Sequence, residues 1–132
     1  MPFVSTFDVS VRSYEIDVYN HVNNAVYIQW CEHGRSKLLQ DKSFDYTSII
    51  DKWGVQFMTV RTEIDYKQAL YLGDMVNVRT WIERFGNTSI TVAHSITKDS
   101  KPVADAKVVV VYTDAKTGKP TPVPEEFMRL YG

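Results

Sequence analysis

Between Asp17 and Asn24 the chain reads Asp-Val-Tyr-Asn-His-Val-Asn-Asn, and Ala25-Val26-Tyr27 follows. Those eight residues hold an acid, an imidazole and three asparagines. A long helical pattern begins directly after them. This placement suits chemistry on a polarised carbonyl. The first-turn N–H groups of a helix have no intrahelical acceptor, so they can bind a developing oxyanion. A nearby carboxylate can attack the carbonyl or activate a water. Asn and Asp are also ordinary turn and N-cap residues, because their short side chains bond local backbone N–H groups. Capping accounts for Asn23 or Asn24. It does not require His21, and Asp17 lies too far upstream to cap. Asp17, His21, Asn23 and Asn24 are therefore the candidate catalytic residues.

The elements that must hold this segment follow from periodicity. Residues 5–14 alternate and read as a first strand. Residues 23–40 read as a helix. Gln29, Glu32, His33, Ser36, Lys37 and Gln40 recur on its polar side, with Ala25, Ile28, Cys31 and Leu38 opposite. Tyr27, Trp30 and Leu39 widen the apolar side, so the helix is expected to be largely buried. Asp41 to Gly54 reads as a polar connection with a short apolar piece at Ile49-Ile50. The period then changes to two. Val60, Thr62, Ile64 and Tyr66 alternate with charged residues, a strand with one wet face. Gly73-Asp74 and Phe85-Gly86-Asn87 are turns. Val76 to Ile82 and Ile90 to Ile96 are strands. Asp99 to Pro102 is a hairpin connection. Residues 103–113 form another strand, and Val108 to Val111 imply burial on both its faces. A short amphipathic helix spans Pro122 to Tyr131. Strand, buried helix and a meander of antiparallel strands make an α+β fold, with the sheet curled round one long central helix. Its edges and outer face are left open, and self-association is the usual remedy.

Whole-chain properties narrow the function classes. The 132 residues suit a single domain, 1–132, with a real core. Hydrophobic residues make up 44% and aromatics 13%, which describes a folded protein. The formal net charge of −1 gives no broad electrostatic case for nucleic acid or an anionic membrane. No apolar run reaches membrane-spanning length, and the start has no leader pattern. The one cysteine, Cys31, cannot form an internal disulfide. A cytoplasmic location in a reducing compartment is expected.

The run from Asp17 to Tyr27, followed by Trp30, Glu32 and Arg35, resembles the active-site signature of the hotdog-fold acyl thioesterases of the 4-hydroxybenzoyl-CoA thioesterase family. Its His-Val-Asn-Asn core is also similar to the acyl-carrier-protein thioesterases. Ile64-Asp65-Tyr66 and the later Gly73-Asp74 resemble the family's strand after the helix and its turn. The resemblance covers essentially the whole chain. It implies a hotdog fold and hydrolysis of an acyl-CoA or acyl-carrier-protein thioester without a cofactor. It puts the catalytic carboxylate on Asp17 and the polarising backbone N–H near Asn24. It further implies a homodimer or homotetramer with the site between subunits. Many relatives carry Gly where this chain has Asn20, and Asn tolerates left-handed backbone angles. The plant-type carrier-protein enzymes have Asn where this chain has Tyr19, which favours coenzyme A.

Other residues have weaker claims. Tyr27, Trp30, Phe57 and Met58 are candidates for lining the acyl site. Arg61, Lys67 and Arg84 are candidates for the phosphates of coenzyme A, although strand-face charges are solvated by default. Glu32 is three residues from Arg35 and reads as its surface partner, with a second catalytic carboxylate as the competing reading. Cys31 reads as a packed thiol. His94 reads as a satisfied core or interface residue. The three histidines and one cysteine lack metal-ligand spacing. The alternatives are a hotdog hydratase or dehydratase, whose usual Asp-x-Asn-Pro-x-His pattern is absent here, and a non-catalytic acyl-CoA-binding domain.

Overall fold

The computed structural model describes residues 2–132. β1 (Val4–Ser10) leads through a 3-10 turn (Ser13–Glu15) to α1 (Asn24–Gln40) and α2 (Tyr46–Trp53). β2 (Val55–Tyr66), β3 (Met75–Phe85), β4 (Ser89–Lys98), β5 (Lys101–Asp114) and α3 (Glu125–Tyr131) follow. All five strands form one antiparallel sheet in the order β1-β3-β4-β5-β2. α1 packs against β1, β3 and β4. This is the α+β, helix-in-sheet arrangement of the hotdog fold.

Several local expectations need correction. β1 stops at Ser10, where the expected strand ran to residue 14, because residues 13–15 coil into the 3-10 turn. Only β3, β4 and β5 form a meander. β2 crosses the fold to pair with β5 at the far edge. Asp41 to Gly54 contains a helix that its polar composition concealed. The Asp45 side chain caps α2 by accepting from Ser48 N–H at 2.8 Å, and Gly54 ends it at φ 66°. In β5, Val108 and Val110 are buried, whereas Val109 and Val111 on the opposite face are only half-buried. On α1 the apolar stripe is rotated. Val26, Tyr27, Trp30 and Cys31 are buried, and Ala25 and Ile28 face out. β2 is wet on both sides through its middle, with Met58 and Val60 more than half exposed. It is a sheet edge, and α1 packs at the other end of the strand order.

The core has two lobes along α1. Val26, Trp30 and Cys31 meet Val76, Val78 and Ile96 near the helix start. Leu38 and Leu39 meet Ile49, Ile82, Phe127 and Tyr131 near its end. α3 is only seven residues long and depends on that packing. Burying Phe127 and Tyr131 contributes roughly 1.5–3 kcal/mol each. The Tyr131 hydroxyl donates to the Leu39 carbonyl at 2.9 Å.

Gly34 brings α1 close to the sheet. A Cβ there would fall 2.4 Å from Thr80 Oγ1. The approach lets Arg35 meet the buried His94, and so Arg35 does not pair with Glu32 as expected. Arg35 Nη1 donates to His94 Nε2 at 3.2 Å. That leaves the ring proton on Nδ1, which donates to Thr80 Oγ1 at 2.9 Å. Burial, reinforced by the Arg35 charge, pushes the His94 pKa down from 6.5 to about 3. The folded protein therefore keeps this ring neutral while the unfolded chain protonates it below pH 6.5. Stability from this site is complete above pH 6.5 and declines toward pH 3, by up to ~1.4 kcal/mol per pH unit. Urea midpoints should fall between pH 7.5 and 5, and fall less in His94→Gln. Equal pH slopes in the two proteins would show another origin.

Candidate active site

The segment before α1 is tied at each end. Ile16 and Val22 form a bridge, and Asp17 N–H donates to the His21 carbonyl at 3.0 Å. Asn20 turns the chain at φ 68°, the left-handed angle expected where relatives carry Gly. Val22 N–H donates to the Leu70 carbonyl and Asn23 N–H to that of Glu15. Glu15 is a participant the sequence reading missed. Its carboxylate is buried and accepts from Arg12 Nε, Arg12 Nη2 and Trp30 Nε1. The Arg12 hydrogen bonds hold it below the usual carboxylate range. The three-residue spacing from Arg12 to Glu15 was the available signal. Trp30 is thereby committed to holding the loop and takes no part in lining the groove described below.

Asn23 is the N-cap of α1, and its Oδ1 accepts from Ala25 N–H at 2.9 Å. The Asn23 carbonyl accepts from Val26 N–H. Asn24 is the first helical residue, and its N–H has no acceptor among the described residues. One free donor therefore remains at the helix start, and it belongs to Asn24. The Asp17 Oδ1 accepts from Tyr19 N–H at 2.9 Å. His21 Nδ1 stands 3.9 Å from the same oxygen, too long for a hydrogen bond. No hydrogen bond engages Asp17 Oδ2 among the described residues.

Beside the free N–H lies an open groove of about 290 Å³, lined by His21, Asn24, Tyr27, Tyr66, Lys67 and Gln68, among others. The Tyr66 hydroxyl donates to the Asn24 carbonyl at 3.2 Å and ties β2 to the helix start. Burial pushes the Tyr27 pKa up to about 12, so it presents a neutral phenol. Asp17 does not line the groove itself; its neighbour His21 does. The structure thus brings His21, Asn24, Tyr27 and Lys67 to one groove with Asp17 beside it.

Lys67, although it lines the groove, is engaged by Asp105 at 2.6 Å, whereas the remaining candidates are remote from the groove. Arg61 pairs with Glu63. Arg61, Val109, Thr91 and Arg84 form one row across β2, β5, β4 and β3. That row is on the face away from α1 and sets the two arginines roughly 14 Å apart, at ~4.8 Å per strand. Neither arginine lines the groove. Phe57 lines a separate chamber, and Met58 is on the open edge. Burial pushes the Cys31 thiol up to about 11, which leaves it inert as a nucleophile. Among the described residues no group of three or more His, Cys, Asp or Glu is placed to hold a metal ion. No described helix is long and apolar enough to cross a membrane.

A sequence profile of the thioesterase-like superfamily matches residues 11–130. The chain belongs to that superfamily. This thioesterase is 31% identical over 114 residues to the long-chain acyl-CoA thioesterase FadM of Escherichia coli, covering 84% of each chain. It is 29% identical over 127 residues to the chloroplastic acyl-acyl carrier protein thioesterase ATL2 of Arabidopsis thaliana, covering 95% of this chain and 66% of that one. Its fold superimposes on Slr0204, a 1,4-dihydroxy-2-naphthoyl-CoA thioesterase from Synechocystis, with a TM-score of 0.87. That match covers 97% of this chain and 95% of the other at 18% identity.

Proposed function

We propose that this thioesterase hydrolyses an acyl-CoA to a free acid and coenzyme A, as a single hotdog domain without a cofactor. The observation that carries the reading is the free N–H of Asn24. Its neighbours' donors are already used by the cap, so it is the donor left for a substrate oxygen. The acyl carbonyl oxygen takes this N–H and gains negative charge as the carbonyl carbon is attacked. Asp17 supplies the attack, either directly through Oδ2 or by taking a proton from a water. The carbon–sulfur bond then breaks and the thiolate leaves, taking up a proton in solvent. In the direct route a water next cleaves the acyl–Asp17 anhydride. His21 and Asn23 keep the loop and its helix start in register. Lys67 meets the coenzyme A end after giving up Asp105.

The groove is open to solvent in a single copy, which supports a shared site. β2 is an unpaired sheet edge carrying exposed Met58 and Val60. Antiparallel pairing of two such edges about their middle sets Tyr66 of one copy beside Val55 of the other. It would extend the sheet across the dimer and cover both edges. Light scattering at micromolar concentration should give at least two subunits of 15.2 kDa. An active monomer would rule out the shared site.

Free-thiol release from a panel of acyl-CoAs, with the matching acyl-carrier proteins alongside, tests the reaction. Faster release from acyl-CoA is the expected result. Loss of enoyl absorbance without thiol would make the chain a hydratase, and binding without turnover would make it a carrier. The reading also expects a cytoplasmic protein.

A further inference from the structure

Under the far half of α1 lies a second cavity of about 210 Å³, with a rim quite unlike its floor. Leu38, Leu39, Ile82, Ile90, Val110 and Phe127 are among the apolar residues lining it. Its polar members are Glu32, Arg35, Tyr46 and Thr59. The guanidinium of Arg35 has five N–H donors, and among the described residues only His94 takes one. No carboxylate among the described residues lies within ion-pairing distance of it, although Glu32 lines the same cavity. Glu32 likewise has no ion-pair partner among the described residues. Half-buried and bound to an uncharged ring, Arg35 is held in place without being neutralised. A cation kept beside an apolar chamber is costly unless a ligand supplies an acceptor.

We infer that this chamber takes the tail of the acyl group and that Arg35 and Glu32 select a chain with a hydroxyl near its thioester end. This rests on the acyl-CoA hydrolase reading above. A hydroxyl fits the rim better than the alternatives. It accepts from Arg35 and donates to Glu32 at once, whereas an oxo group can only accept and a second carboxylate would face Glu32. The chamber size sets the tail. A chamber of about 210 Å³ suits a medium-length tail. Within one copy, Arg35 is roughly 16 Å along α1 from Asn24, at ~1.5 Å per residue, too far for a substituent close to the thioester. The β2-paired dimer proposed above would close that gap. Pairing of β2 edges carries the helix start of one copy, tied to its Tyr66, over the Val55–Phe57 end of the other. Phe57 and Thr59 line the chamber there. A medium-chain acyl group with a hydroxyl on C3, such as 3-hydroxydecanoyl, meets both conditions.

The test compares kcat/KM for 3-hydroxydecanoyl-CoA and decanoyl-CoA. The wild-type protein should favour the hydroxylated substrate by at least about 10-fold, the scale of one hydrogen bond to a charged group. In Arg35→Met the ratio should fall toward one. In Glu32→Ala, at an exposed position, it should fall part of the way, and this variant decides the matter if Arg35→Met does not fold. Thiol release from both substrates at equal efficiency would overturn the inference and leave the hydrolase reading standing. Loss of turnover on both substrates in a folded Glu32→Gln would also overturn it, by making Glu32 a catalytic carboxylate. If neither substrate released thiol, the hydrolase reading would fail. Calorimetric affinities for the two acyl-CoAs would then judge the rim by the same ratio.

Discussion

Asp17→Asn should lower kcat by at least roughly 10²-fold, with a smaller change in KM. The replacement keeps the shape of the side chain and its ability to accept from Tyr19 N–H, so the loop is expected to hold. It removes the negative charge, which either route needs at Oδ2. A thioester is already electrophilic and its thiolate leaves without a strong acid. His21 is therefore less necessary as a proton donor than it would be for an amide. Its Nδ1 is 3.9 Å from Asp17 Oδ1 and donates no hydrogen bond to it in this arrangement. His21→Ala should cost clearly less in kcat. Steady-state thiol release on both variants makes the comparison. A larger loss from His21→Ala would reverse the roles and favour an imidazole-based, hydratase-like mechanism.

Asn24→Pro should remove most of the rate while leaving the fold intact. Asn24 is the first residue of α1, and proline is well tolerated there because its fixed φ suits the helix. Asn23 already has φ −62° and ψ 137°, which a following proline requires. The substitution therefore deletes one backbone donor with little structural cost. Loss of a single oxyanion donor typically lowers kcat by about 10²–10³-fold. Asn24→Ala keeps the N–H and should keep much of the activity. It should also keep stability, because the cap is Asn23. Asn23→Ala is the change expected to cost about 1 kcal/mol. Kinetics and thermal melts on the three variants separate these effects. A large rate loss in a folded Asn24→Ala would transfer the role to the side-chain amide.

The long elements were legible because their hydrophobic period ran for many residues. α1 and the alternation of β3 and β4 could be read directly, and Asn23 was legible as a cap candidate because its side chain acts on backbone two residues away. The resemblance of residues 17–27 carried the thioesterase reading, since it depends on residue types in fixed order. α2 escaped because eight residues give little periodic signal, and its start depends on a capping interaction between Asp45 and Ser48 rather than on apolar spacing.

Sequence order alone was enough to bring Asp17, His21, Asn23 and Asn24 into one turn and to set a helix start behind them. Local hydrogen bonding does the rest over a few residues. Three assignments depended on the folded chain. Trp30 went to Glu15, Arg35 went to His94 instead of Glu32, and Arg84 ended on the sheet face opposite α1. Each pairs groups from different elements or turns a side chain by the register of its strand. A one-residue change in register reverses the face, and a helix can approach a sheet as closely as α1 does only where a residue such as Gly34 leaves room. Those are distances across the fold, and spacing along the chain does not encode them.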